Sequence, residues 1–185
     1  MLYAPIRLQN LASLRFGVHL FVRQGPGAIS TLEIPAPEVK NRRDLAFDLP
    51  PKLARMLLDY VNSIAPRIIG RQPERLFVNI DGTAKHSQSV ALLIRKTLRK
   101  RVGIGLAPHQ FRHLSARTVL DAEPGAFETV RQLLGHKTLN ATVTAYTGID
   151  SARAARHHHQ IIENTLASAP LSFGRRGQPR IGRSA

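Results

Sequence analysis

The sequence of 185 residues contains no cysteine, no long apolar run and only 12 acidic residues. The absence of cysteine excludes disulfides and thiolate chemistry, and it is compatible with a reducing cytoplasm. No segment approaches the roughly 20 apolar residues that a membrane-spanning helix requires. The first residues, MLYAPIRLQN, lack the apolar stretch of a secretory signal. We therefore expect a cytoplasmic protein that has no membrane partner.

The scarcity of acidic residues leaves a large positive charge. The chain has 27 lysine and arginine residues against 12 acidic ones, which gives a formal net charge of +15. Nucleic acid is the natural partner of such a chain, because each neutralised phosphate releases counterions. The alternatives are a ribosome-bound protein, a membrane-surface protein and a basic protein with no such partner. The basic residues are spread over the whole chain, which favours a folded binding face.

Hydrophobic periodicity predicts an α+β fold that is mostly helical and forms one domain. A short helix over 6–16 precedes strands over 18–22, 28–34 and 45–49, which predict a small three-stranded antiparallel sheet near the N-terminus. Residues 168–185 are rich in glycine, proline and arginine and are predicted to form a disordered basic tail. The remaining predicted helices cover 51–64, 87–101, 108–121, 127–134, 140–146 and 151–167.

Residues 109–150 concentrate histidines, an arginine and a tyrosine in an unusual order. His109 and Arg112 lie three residues apart on a predicted helix, so they share one face. Two donors on one helix face suit the oxygens of a phosphate. Such a pair taken alone is more often an ordinary solvated face, so its meaning depends on the rest of the segment.

The LLGH segment predicts a rigid corner. Leu133 and Leu134 anchor the end of a helix, Gly135 permits a positive φ, and His136 projects from the turn. Tyr146 follows ten residues later, and a tyrosine at helical spacing is usually part of a core or an interface. In a chain without cysteine it is also the candidate nucleophile, provided that cationic groups stabilise the pentavalent phosphate it would create.

The motifs HQFRH, LLGH and a tyrosine ten residues further on resemble the catalytic signature of the tyrosine recombinases, also called phage integrases. The segment PIRLQNLASLR resembles the one that carries the family's first arginine, which places that residue at Arg7. EVKNRRDLAFDLP resembles the family's strand–turn–strand with a lysine, which becomes Lys40. The resemblance extends over residues 6–150 and implies the DNA breaking-rejoining enzyme fold, with the catalytic domain over 1–167.

The resemblance also implies a mechanism. Tyr146 would attack the scissile phosphate and form a 3′-phosphotyrosyl intermediate, which conserves the bond energy without a metal or a nucleotide cofactor. Arg7 and Arg112 would clamp the non-bridging oxygens, where the planar guanidinium is hard for lysine to replace. The partner would be double-stranded DNA, on which a homo-oligomer would assemble as a tetramer on paired sites.

The remaining site residues would donate hydrogen bonds or move protons. His136 would donate to the same phosphate. His109 would assist proton transfer from the tyrosine, since an ordinary histidine pKa of about 6.5 suits acid–base work. Lys40 would protonate the departing 5′ oxygen. His113 has no role in the family pattern, so we expect it to pack or to contact a phosphate.

Two departures from the family pattern bear on activity. Relatives carry a separate helical core-binding domain before the first arginine. Here that arginine is Arg7, so we expect an N-terminally truncated catalytic domain. Asn10 stands where many relatives have an acidic residue that supports the first arginine, and its amide can still accept a hydrogen bond.

The expected function is therefore site-specific DNA recombination or integration. The alternative is a truncated, catalytically impaired remnant that acts only as a DNA-binding module. A type IB topoisomerase shares the tyrosine chemistry, and strand exchange between two duplexes would separate a recombinase from it. A metal-dependent nuclease is disfavoured because the sequence has no cluster of carboxylates.

The stretch RHHHQ at 156–160 is not expected to bind metal. Consecutive helical residues point about 100° apart, so the three histidines 157–159 cannot all face one ion. A solvated basic helix is the expected structure. Three apolar residues further along this helix could contact a neighbouring protomer or the parent domain, namely Ile161, Ile162 and Leu166.

Overall fold

The computed structural model of the chain describes residues 1–23, 25, 29–146 and 151–168, except for the side chains of 145, 146 and 151–154. The chain divides into two compact units, Met1–Thr147 and Gly148–Ala185. The first unit holds the sheet and most of the helices, and the second holds one described helix. Beyond Ser168, the predicted basic tail lies outside the described residues.

The N-terminal helix α1 (Leu8–Ser13) is shorter than the predicted helix over 6–16. Arg7 precedes it in an extended conformation with φ −69° and ψ 152°, and Leu14 leaves it with ψ 130°. Arg15 then forms an isolated β-bridge. The prediction is therefore wrong at both helix ends. At the C-terminal end, backbone pairing of residues 14–16 with residues 74–76 outweighs the helical spacing of the apolar residues. The extended backbone at Arg7 places this arginine at the N-terminal end of α1.

The predicted three-stranded antiparallel sheet is confirmed. It consists of β1 (Leu20–Phe21), β2 (Ser30–Ile34) and β3 (Leu45–Leu49), with β2 in the centre. β1 is shorter than the predicted strand over 18–22, because the backbone N–H groups of His19 and Leu20 both donate to the Arg15 carbonyl in a tight turn. The buried side chains alternate along the strands and include Leu20, Leu32, Ile34, Leu45 and Leu49.

Helices form most of the rest of the first unit, as predicted. α2 (Pro51–Asp59) continues through a π-helical segment (Tyr60–Ile64) into α3 (Ala65–Ile69). The helix predicted over 51–64 therefore ends too early, because a proline such as Pro66 is tolerated in the first turn of a helix. The later helices are α4 (Ser87–Val102), α5 (Pro108–Ala122), α6 (Phe127–Leu134), α7 (Leu139–Tyr146) and, in the second unit, α8 (Ser151–Ser168).

Two hydrophobic clusters hold the first unit together. The larger cluster joins the sheet to α1 and α4, and the smaller one joins α5 to α6. The smaller cluster fixes the helix that carries the HxxR pair against the helix that ends in LLGH. Its buried members are Ala116, Leu120, Val130 and Leu134. Within the described residues, no helix is both long and apolar enough to cross a membrane.

Candidate active site

Arg112 on α5 connects two distant parts of the chain. Its Nη1 donates to the carbonyl of Pro5, and its Nη2 donates to the carbonyl of Leu134 at 2.8 Å. Pro5 lies two residues before Arg7, and Leu134 lies two residues before His136. A single guanidinium therefore fixes the backbone beside two of the other predicted site residues. Only arginine offers donors in a planar fork that can reach two acceptors in this way.

The LLGH corner has the predicted geometry. Gly135 follows α6 with φ 59°, in the left-handed region that favours glycine. The N–H of His136 donates to the Arg131 carbonyl at 2.9 Å, which closes the helix end. A Cβ added at Gly135 would lie 2.9 Å from the Cδ2 of Leu45, at the start of β3. The corner therefore packs directly against the hairpin that carries Lys40.

His136 sits in a positively charged environment. Its Nδ1 lies 2.9 Å from the Oγ1 of Thr142, a fully buried residue of α7. When this hydroxyl donates to Nδ1, Nε2 carries the ring proton and is free to act as a donor. Burial lowers the pKa of His136, and the charges of Arg112, Arg7 and His113 lower it further. The neutral ring is thus favoured until an anion compensates the surrounding charge.

We expect the lowered pKa of His136 to make the fold less stable in mild acid. The folded chain takes up the His136 proton at a lower pH than the unfolded chain, whose histidine has the ordinary pKa of 6.5. Below pH 6.5 the unfolded state therefore binds more protons, and this contribution to stability falls as the pH is lowered. Urea unfolding across this range should show a weaker pH dependence in His136→Gln than in the parent chain.

Two comparisons check this assignment. His158→Gln, on an exposed stretch of α8, is the matched control for removing one of the eight histidines. The imidazole resonance that disappears from the spectrum of His136→Gln should titrate below 6.5 in the parent chain. A midpoint above that value would contradict the electrostatic description of this site.

Arg7 and Lys40 share a cleft on the same side of the first unit. Lys40 is exposed in the turn between β2 and β3, as predicted, and Arg7 is half-buried. The cleft has a volume of about 360 Å³ and is lined by Arg7, Gln9, Asn10, Pro37, Glu38, Val39, Lys40 and Arg42. The structure therefore brings the two residues to one cleft, although α1, β1 and β2 lie between them in the sequence.

The turn that carries Lys40 is held by residues that were not predicted as site residues. The Nδ2 of Asn10 donates to the Glu38 carbonyl at 2.9 Å, so this amide supports the lysine turn. His19, which is 1% exposed, accepts from the Arg15 N–H through Nδ1 at 3.1 Å. Its Nε2 lies 3.1 Å from a carboxylate oxygen of Glu38. One signal in the sequence could have indicated this role: His19 is the single polar residue in the apolar stretch VHLFV, at a position that is buried in the structure.

The remaining predicted residues lie on α5 and α7. His109 and His113 are both exposed on α5, with ring centroids 6.4 Å apart in an edge-on arrangement. Tyr146 is the last residue of α7, and the position of its side chain lies outside the described residues. Among the described residues, no group of three or more histidine, aspartate or glutamate side chains could hold a metal ion.

These features define a class of protein. A mostly helical α+β domain groups arginine, histidine and lysine side chains on elements far apart in sequence, as the binding of a phosphate requires. The model of the Phage integrase family matches residues 1–153. The chain therefore belongs to the phage integrase family, and the resemblance seen in its motifs is confirmed.

Curated relatives match part of this chain. It is similar to tyrosine recombinase XerC of Rhizobium meliloti (strain 1021), with 42% identity over 67 residues, 34% of this chain and 20% of that protein. Tyrosine recombinase XerC of Brucella suis biovar 1 (strain 1330) is 37% identical over 82 residues, 42% of this chain and 24% of that protein. The alignments thus span only about a fifth to a quarter of each relative's length.

Solved structures confirm the predicted fold class. XerH recombinase bound to a palindromic difH substrate matches with a TM-score of 0.65 and 18% identity, over 88% of this chain and 43% of that one. XerA recombinase matches with a TM-score of 0.61 and 18% identity, over 86% of this chain and 54% of that one. The Tn1549 transposon integrase in complex with transposon right end DNA matches with a TM-score of 0.61 and 13% identity, over 87% of this chain and 56% of that one. At these identities the likeness concerns the fold.

Proposed function

We propose that the chain catalyses site-specific recombination or integration of DNA by cleaving and rejoining strands through a 3′-phosphotyrosyl intermediate. The observation that carries the proposal is the pair of hydrogen bonds from Arg112 to the carbonyls of Pro5 and Leu134. These bonds hold the segments of Arg7 and His136 together around one positively charged position. A tetrahedral or pentavalent phosphate is the anion that such converging donors stabilise best.

The proposed chemistry exchanges one phosphodiester for another. The Tyr146 hydroxyl attacks phosphorus, the bond from phosphorus to the 5′ oxygen breaks, and a phosphotyrosyl ester forms. The phenol proton passes to His109, and Lys40 gives a proton to the departing 5′ oxygen. Arg7, Arg112 and His136 bind the non-bridging oxygens throughout. The step is balanced without a metal or a nucleotide cofactor, and the reverse step rejoins the strand.

The proposed partner is double-stranded DNA. The XerH structure is bound to a palindromic difH substrate and the Tn1549 integrase structure to transposon right end DNA. The net charge of +15 of this chain suits a polyanion such as DNA. α4 offers an exposed basic face formed by Arg95, Lys96, Arg99, Lys100 and Arg101. We further propose that copies of the chain assemble on DNA in the cytoplasm, as a tetramer on paired sites.

Covalent trapping tests the function. The chain is incubated with short nicked duplexes. The nick lets the short fragment released by cleavage diffuse away, which prevents religation, and the central sequence is randomised so that any preferred site is represented. We expect an adduct that survives denaturing electrophoresis, and sequencing of the trapped duplexes would reveal the preferred site. Retarded migration in a native gel without any adduct would favour the alternative of a DNA-binding remnant.

A second assay separates recombination from topoisomerase activity. The trapped site is placed on two duplexes of different length, and also in a supercoiled plasmid. Products that join the two duplexes are expected of a recombinase. Relaxation of the plasmid without joined products would favour a type IB topoisomerase.

A further inference from the structure

Asn41, the residue after Lys40, makes a contact that the proposed chemistry has not used. Its Nδ2 donates to the carbonyl of Gly135, across a separation of 94 residues. Gly135 is the residue directly before His136. A single side-chain amide therefore links the turn that carries the lysine to the corner that carries the histidine.

Neighbouring contacts support the same docking of the hairpin on the corner. Leu45 lies so close to Gly135 that a Cβ there would meet its Cδ2 at 2.9 Å. Hydrogen bonds from Arg131 and then Gln132 are the main reasons that the pKa of Glu128 on α6 is lowered to about 2, and the charge of Arg43 adds to the effect. Positions 41 and 45 of the hairpin thus contact the glycine at the end of α6, and the charge at position 43 acts on Glu128 of the same helix.

The two sides of the lysine turn are anchored differently. On the side of α1, Asn10 and His19 hold Glu38, two residues before the lysine. On the side of α6, the link that lies next to Lys40 is the Asn41 amide. The Lys40 side chain itself is exposed and long, so the position of its ammonium depends on where the turn is held. Misplacing a catalytic group by about 1 Å can cost about a hundredfold in rate.

We propose that Asn41 is a positioning residue for Lys40: its hydrogen bond to the Gly135 carbonyl docks the lysine turn against the His136 corner, so that the ammonium reaches the leaving 5′ oxygen. The inference rests on the proposed function, because it concerns the proton that the leaving group receives. Loss of the amide leaves the lysine present but badly placed. Because Gly135 is buried and its carbonyl loses a donor, the stability of the variant is measured alongside its activity.

The leaving group provides the test. Asn41→Ala, Lys40→Ala and the parent chain are compared on the nicked duplex that gives the most adduct, and on the same duplex with sulfur in place of the bridging 5′ oxygen. A thiolate leaves as an anion at neutral pH far more readily than an alkoxide, so the sulfur duplex does not need a proton donor. Asn62→Ala, at an exposed position of the π-helical segment, is the matched control, and thermal unfolding checks that each variant is folded.

On the oxygen duplex we expect Lys40→Ala to cleave about 10²- to 10⁴-fold more slowly than the parent chain, as for other general acids. Asn41→Ala should cleave about ten- to a hundredfold more slowly. On the sulfur duplex both variants should approach the parent rate, and Asn62→Ala should match the parent on both duplexes.

Two results would overturn the proposal while leaving the proposed function intact. One is that Asn41→Ala is equally slow on both duplexes while Lys40→Ala is rescued, which would place the effect of Asn41 on the His136 corner. The other is that Asn41→Ala cleaves the oxygen duplex at the parent rate. Failure of the sulfur duplex to rescue Lys40→Ala would instead remove the role of Lys40 in the proposed function, and the inference for Asn41 with it.

Discussion

Replacing Tyr146 with phenylalanine should abolish the covalent protein–DNA adduct and leave DNA binding unchanged. Phenylalanine keeps an aromatic ring at the last position of α7 but lacks the hydroxyl that would attack phosphorus. The charged groups that attract the phosphate, Arg7 and Arg112 among them, are untouched. Adduct formation on the nicked duplex and DNA affinity in a filter-binding assay, measured at one salt concentration, check the two halves of this expectation.

The chain offers a complete set of controls, because it contains only three tyrosines. Tyr3→Phe and Tyr60→Phe should both retain the adduct. Tyr3 is 64% exposed near the N-terminus. The pKa of Tyr60 is raised by burial, which makes its phenolate harder to form. An adduct that persists in Tyr146→Phe and disappears in one of the other two variants would reassign the nucleophile.

The parts of the fold that the sequence predicted correctly depend on local patterns. Branched residues predicted β2, alternating apolar residues predicted β3, and helical spacing followed by glycine predicted α6 and its end at Gly135. These signals are local because backbone geometry and the burial of one face are decided within a few residues. The family motifs then predicted which residues would meet, and the structure brings Arg7 and Lys40 to one cleft.

The errors have a different physical origin. α1 lost its predicted C-terminal residues to backbone pairing with residues 74–76, and the helix predicted over 51–64 continues through a π-helical segment into α3. The pairing at the end of α1 leaves no mark in the local periodicity, because its partner lies far along the chain, and a proline in the first turn of a helix looks the same in sequence as a proline in a loop. Asn41 illustrates the same limit within the site. An asparagine in a turn is expected for its local backbone preference, and nothing near it in sequence reveals an acceptor on Gly135.

Changing Arg112 is expected to damage both catalysis and the fold, because the same guanidinium serves both. Arg112→Ala leaves the carbonyls of Pro5 and Leu134 without this donor, which should lower the free energy of unfolding by about 1–3 kcal/mol. It also removes a clamp on the transition-state charge, which should slow adduct formation by about 10²- to 10³-fold. Urea unfolding and the rate of adduct formation measure the two effects separately.

Arg112→Lys separates geometry from charge. An ammonium keeps the positive charge but lacks the planar fork that reaches both carbonyls, so we expect cleavage nearly as slow as in Arg112→Ala with a smaller loss of stability. Arg117→Lys is the matched control on the same helix, where the exposed arginine pairs with Asp121 at 2.9 Å and the change should cost less than about 0.5 kcal/mol. If Arg112→Lys cleaves as fast as the parent chain, charge alone suffices. The arginine would then not be needed to hold the segments of Arg7 and His136 around the phosphate.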